Sequence, residues 1–171
     1  MYKILLFFTF SIFFLLISTS SIAQAKQEDT NDSLAVMNWL TKSFSFSSPD
    51  TGFVALDEGN GYSNPTINAT IKYISFPQQF NKVKVQFADR KSTESTLLLD
   101  TINHNSNGLT AFSLIQEEIS PDKSKFENYI SIATIVDFKN ITVCIIGAYP
   151  KSKDKFLREK FIKAALSIKE Q

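Results

Sequence analysis

The sequence predicts an α+β fold, a mostly antiparallel sheet of about six or seven strands with helices packed on it. Three observations lead there. Ile141 to Ala148 reads as a central strand with two apolar alternation sets, Ile141, Val143 and Ile145 against Cys144, Ile146 and Ala148, so each face needs cover. Further runs alternate with a period of two between clusters of Gly, Asn, Pro and Ser, the pattern of strands joined by hairpins. The chain then ends in an amphipathic stretch with Leu157, Phe161, Ala164, Ala165 and Ile168 on one helical face.

In chain order, Met1-Tyr2-Lys3 is a short positive start and Ile4 to Ile17 is an almost unbroken apolar run. Small residues at Ala23 and Ala25 form an A-x-A site, which predicts a signal peptide over 1–25, cut after Ala25 or, alternatively, after Ala23. The apolar run falls short of the roughly 20 residues that a spanning helix needs, so no membrane span is expected after cleavage, and the product is expected to be periplasmic or extracellular. No cysteine stands near the cleavage region to accept a lipid. Residues 26–32 form a polar lead-in, and 33–171 are expected to form a single domain large enough to be held by packing. The only cysteine, Cys144, has no partner within the chain, so no internal disulfide is expected.

Ser33 can cap a short helix over 34–42, where Val36, Met37 and Leu40 recur at helical spacing. Phe44 and Phe46 alternate with serines as a short strand, and Pro49-Asp50-Thr51-Gly52 makes a turn. Phe53 to Leu56 is a second strand. Asp57 to Pro65, rich in Gly and Asn, reads as the longest irregular segment. Thr66 to Phe76 is a strand with Ile67, Ala69, Ile71 and Tyr73 on one face, and Pro77 introduces a helix over Gln78 to Lys91 with Phe80, Val83 and Phe87 inward.

Thr96 to His104 is expected as a strand, with Leu98 and Ile102 on one face and Leu97 and Leu99 on the other. Asn107-Gly108 predicts a hairpin into Leu109 to Ile119, because both residues tolerate positive φ. After the turn cluster Ser120 to Ser124, Tyr129 to Phe138 pairs through a tight hairpin at Asp137 to Asn140 with the central strand. The last helix is expected over Lys153 to Lys169 with Ser152 or Asp154 as its cap, and Ile162 and Leu166 form a second stripe.

Three ordered segments carry a family resemblance: Leu97 to Phe112 with its Asn-Gly turn, the strand end Gly147-Ala148-Tyr149-Pro150-Lys151, and Lys160 to Ile168. Together they resemble the PsbP-like α/β/α sandwich superfamily, in particular its small secreted bacterial members, over roughly Ser43 to Lys169. The resemblance implies a sheet sandwiched by helices and a noncatalytic docking role. Plant and cyanobacterial members of that superfamily dock on photosystem II, and a structurally similar eukaryotic member binds a small GTPase. No ligand or partner motif can be matched, so no functional residue carries over.

Charge and motifs exclude several chemistries. The chain holds 18 basic and 17 acidic residues, near neutral once Lys3 is lost, and its lysines alternate with acids. Nucleic acid is therefore not an expected partner. Lys151, Lys153, Lys155, Arg158, Lys160 and Lys163 read as a solvated helix face that also carries Asp154 and Glu159. A composition favouring Lys, Asn, Ser, Ile and Phe, with two arginines, suggests a bacterial source.

His104 is the only histidine, and Cys144 inside an apolar strand reads as a core thiol, so no catalytic dyad is assigned. One His and one Cys cannot build a zinc site. Asp57-Glu58-Gly59-Asn60-Gly61 lacks the ligand spacing of an EF-hand and the remaining glycine of a dinucleotide fingerprint. Glu117 and Glu118 are adjacent on a strand and face opposite ways, which rules out a facing acid–base pair. Asn31, Asn68 and Asn140 open N-x-Ser/Thr triplets that matter only in a glycosylating host.

No catalytic, metal or cofactor residue is assigned, and no cofactor is expected. Phe53, Asp57, Tyr62 and Tyr73 are the candidate binding residues, a patch beside the Gly-rich loop. The functional expectation is a noncatalytic exported module for a protein or envelope partner. A small-ligand carrier with a cleft near Asp57 to Pro65 and a hydrolase with unmarked carboxylates are the alternatives.

Overall fold

Ten-residue strands of high β-branched content dominate the fold, because Val, Ile and Thr pack well on a pleated surface. The computed structural model describes residues 42–171 except 107, 123, 125, 139 and 140. The expected leader over 1–25, the lead-in over 26–32 and all but Lys42 of the helix over 34–42 lie outside the described residues. The strands are β1 (Phe44–Ser45), β2 (Val54–Ala55), β3 (Gly61–Asn64), β4 (Ala69–Phe76), β5 (Thr96–Ser106), β6 (Leu109–Glu118), β7 (Tyr129–Phe138), β8 (Ile141–Pro150) and β9 (Lys169–Glu170). Helix α1 (Phe80–Ala88) follows β4, and α2 (Asp154–Leu166) follows β8 through a 3₁₀ turn at Lys151–Lys153.

Seven strands form one antiparallel sheet in the order β2-β3-β4-β8-β7-β6-β5. β1 and β9 pair separately, Phe44 opposite Glu170. A backbone bond from Gln171 to Ser43 and the Lys42–Glu170 ion pair extend that clasp. The central place of β8 follows from its two apolar faces. One set, Ile141, Val143, Ile145 and Tyr149, is buried with Ile71, Ile130, Ile132, Val136 and the α2 residues Leu157, Phe161, Ala164 and Ala165. The other set contains Cys144, which is opposite Ile135 and Ile74. On that side α1 packs on β6, β7 and β8 and buries Phe80, Val83 and Phe87. Each such large apolar side chain, fully buried, is worth roughly 1.5–3 kcal/mol. The sheet therefore lies between helices, the arrangement that the sequence implies.

The differences from expectation have local causes. Gly61 to Asn64, inside the segment expected to be irregular, is strand β3 paired with β4. Gly61 reads as a breaker, yet it permits a close approach: a Cβ there would lie 2.2 Å from the carbonyl oxygen of Ile71. The turn sits later, at Pro65 to Asn68, so β4 starts at Ala69 rather than Thr66. Neither Ser152 nor Asp154 caps α2. The Glu127 carboxylate, from the β6–β7 connection, accepts the Ser152 N–H at 3.0 Å, and Asp154 is the first helical residue. The helix stops at Leu166 because Ser167 turns back onto Ala164 and Lys169 joins β1.

A β-bulge between Leu98 and Asp100 changes the faces of β5. Leu98 pairs with Gln116 while Ile102 pairs with Ser113, so Leu98 and Ile102 lie on opposite faces rather than the same one. The hairpin that follows has Gly108 at φ +77°, with Ser106 opposite Leu109.

Candidate functional site

Of the four candidate binding residues, the structure brings only Tyr62 and Tyr73 together. They reach the α2 face from neighbouring strands, with Tyr62 opposite Ile71 on β4, two residues before Tyr73. The Tyr62 ring meets Phe46 edge-on at 5.3 Å, and its hydroxyl donates to the Phe46 carbonyl at 3.0 Å. The Tyr73 hydroxyl accepts the Phe44 N–H at 3.4 Å, and its ring packs against Phe44 and Phe46. Both tyrosines thereby tie the β1 segment to the sheet. Phe53 packs elsewhere, edge-on to Phe161 at 5.7 Å, and Asp57 is exposed outside this cluster. The cavity lined by Phe46, Tyr62, Tyr73 and Gly59 holds about 60 Å³. A carrier of small organic ligands encloses roughly 300–1,000 Å³, so the cleft expected near Asp57 to Pro65 is too small for that task.

The hairpin register sets His104 opposite Ala111 on the α2 side, where its Nε2 lies 2.9 Å from the Ser113 hydroxyl, itself 2.8 Å from the Thr134 hydroxyl. A serine within reach of the sole histidine has the outline of a nucleophile and base. Ser113 and Thr134 are both fully buried, so no substrate can approach the hydroxyl. The chain of three polar groups instead satisfies hydroxyls that would be costly to leave unpaired. Alternation alone misses it, because it does not say which residues of β6 lie beside His104.

Partial burial lowers the His104 pKa below its ordinary value. The folded state therefore favours neutral imidazole, and the stability this contributes is present above the unfolded value near 6.5 and is lost as pH falls towards the lower folded one. Thermal melts at pH 8 and pH 5 should show a larger loss for the parent chain than for His104→Asn. Equal losses would remove His104 as the cause.

Cys144 is fully buried, and desolvation pushes its thiol up to about 12. A thiol so protonated is a poor nucleophile. An aromatic disulfide reagent at pH 8 should leave the native protein unmodified for hours and label one thiol within minutes in guanidinium. Rapid labelling of the native state would contradict a sealed core thiol.

Charged groups at the β8–α2 junction are tied to one another. Glu117, 5 % exposed, accepts Lys151 Nζ at 2.8 Å on both carboxylate oxygens and the Asn128 amide at 2.5 Å. Glu118 faces the other way and accepts the Ser131 hydroxyl at 3.0 Å. The Tyr149 hydroxyl donates to Asp154 at 2.9 Å, where Arg158 also binds, and burial raises the tyrosine pKa.

Beside this junction lies a groove of about 540 Å³, lined by Ile67, Ser152, Lys153, Lys155 and Phe156. Phe156 is 59 % exposed, and the Lys160 ammonium stands 3.6 Å from its ring centre. Lys160 is held by Asp50 at 2.6 Å. Hydropathy patterning passes over Phe156 because it lies among the charges of the outer helix face. Its single cue is a large apolar residue set off the stripe of Leu157 and Phe161. Among the described residues, no three His, Cys, Asp or Glu side chains gather as a metal site, and no helix is long and apolar enough to cross a membrane.

No protein-family model matches the chain, and no curated protein matches it in sequence. Solved structures match in shape. LpqN, involved in cell envelope biogenesis of Mycobacterium tuberculosis, superposes with a TM-score of 0.55 at 10% identity, over 77% of this chain and 84% of its own. Cyanobacterial PsbP (CyanoP) from Synechocystis sp. PCC 6803 superposes with a TM-score of 0.50 at 10% identity, over 85% and 91%. At such identity the likeness speaks for the fold alone, and the fold is PsbP-like.

Proposed function

We propose that this chain is a noncatalytic exported module that docks on a protein of the cell envelope. The observation that carries the reading is the contrast between core and surface. The reactive side chains, Ser113 and Cys144, are sealed, while the exposed Phe156 stands beside a lysine-rimmed apolar groove. A solvent-exposed aromatic at a concave apolar surface is the kind of feature that protein partners use as an anchor site.

Export rests on the leader read over Met1 to Ala25. The fold shared with a protein of envelope biogenesis agrees with that compartment by analogy. The test is the size distribution of the native protein in gently solubilised envelope extracts. Migration in a complex well above the mass of the free mature chain is the expected result. Migration only as the free chain, across several mild detergents and salt concentrations, would count decisively against docking.

A further inference from the structure

The groove at the start of α2 also points to the chemistry of what it binds, an inference that rests on the docking reading above. Its apolar wall comes from two places: Ile67 in the β3–β4 turn and Phe156, which is set away from the buried α2 residues Leu157 and Phe161. Lys153 and Lys155 flank that wall. Three of the acids near them are engaged elsewhere, and Glu159, one helical turn along α2 from Lys155, forms no ion pair among the described residues. Glu127 holds the N–H and hydroxyl of Ser152, Asp154 holds Tyr149 and Arg158, and Asp50 holds Lys160. Among the described residues Lys153 and Lys155 form no ion pair, and no acid lines the groove, so it presents two unpaired lysines beside an apolar floor.

We propose that this groove seats an acidic segment of a partner protein. An apolar side chain of that segment enters between Ile67 and Phe156, and carboxylates on either side of it meet Lys153 and Lys155. A volume of about 540 Å³ suits one or two large side chains. The apolar anchor supplies affinity, and the rim lysines supply orientation and rate of encounter.

Site-specific photocrosslinking tests the assignment, with p-benzoylphenylalanine placed at position 156 of the full chain in its native cells and the adduct sequenced by mass spectrometry. The expected adduct is a protein segment of net negative charge around an apolar residue. Its yield should fall at least fivefold when Lys153→Glu and Lys155→Glu are introduced together. Adducts to lipid, to a second copy of this chain or to an uncharged or basic segment would overturn the proposal, as would a yield that ignores the charge reversal.

The same probe at position 85, where Val85 is exposed on α1, separates the two readings. A partner captured at 85 and not at 156 would leave docking standing and remove this groove as its site. Capture at neither position would remove the groove as a site and leave docking to the size distribution of the native protein.

Discussion

Gly147→Val is expected to destabilise the protein by about 3 kcal/mol, the upper end of what overpacking a rigid core contact costs. A Cβ at position 147 would lie 2.2 Å from Cδ1 and 2.6 Å from Cε1 of Phe161. That ring cannot retreat cheaply, because it is 1 % exposed and packs edge-on to Tyr149 at 4.8 Å and to Phe53 at 5.7 Å. Gly147 thus lets α2 settle on β8, the contact on which one layer of the sandwich depends.

Phe161→Ala alone should cost about 3–5 kcal/mol through the cavity it leaves. The two changes should be far from additive, since Gly147→Ala fills space that Phe161→Ala empties. Urea denaturation of Gly147→Ala, Phe161→Ala and the double variant checks this. Strict additivity would show that the ring and the glycine do not share one contact.

The second large effect is expected at Lys151. Glu117 has a side chain 7% exposed and depends on Lys151, whose own side chain is 53% exposed. Lys151→Met strips a buried carboxylate of its charged partner, which costs more than an exposed pair would contribute. Solvent reaches the lysine end, so about 1–3 kcal/mol is expected rather than the full cost of a dry pair. Adding Glu117→Gln to Lys151→Met should recover part of the loss, because an amide is cheaper to bury than a carboxylate that has lost its lysine. A Lys151→Met variant as stable as the parent would show that the other contacts of Glu117 suffice to hold it.

The large elements were legible because their periodicities are long. The alternation of Tyr129 to Phe138 and of β8, the Asn-Gly turn and the stripe of Leu157, Phe161 and Ala164 each repeat one instruction several times. Features set by single residues escaped. Gly61 is a glycine required by a strand, yet taken alone it has the same signature as a loop glycine. The bulge after Leu98 leaves no mark in hydropathy, yet it puts Leu98 and Ile102 on opposite faces.

The expected site was half legible for the same reason. Aromatics near the Gly-rich loop do gather, as Tyr62 and Tyr73, but they are spent on holding Phe44 and Phe46. Phe53 goes to Phe161 instead, which no spacing rule on the chain can state. Phe156 becomes notable only once the β3–β4 turn brings Ile67 to its side.

If docking is the function, it belongs to the surface of this protein and to no group in its core. The most direct measurement is partner recovery from native envelope by the parent chain, by Ser113→Ala and by Phe156→Asp, each confirmed folded by its thermal melt. Equal recovery by the parent and Ser113→Ala is expected, with recovery reduced at least tenfold by Phe156→Asp. Full recovery by Phe156→Asp, or loss confined to a folded Ser113→Ala, would contradict a surface site at the groove.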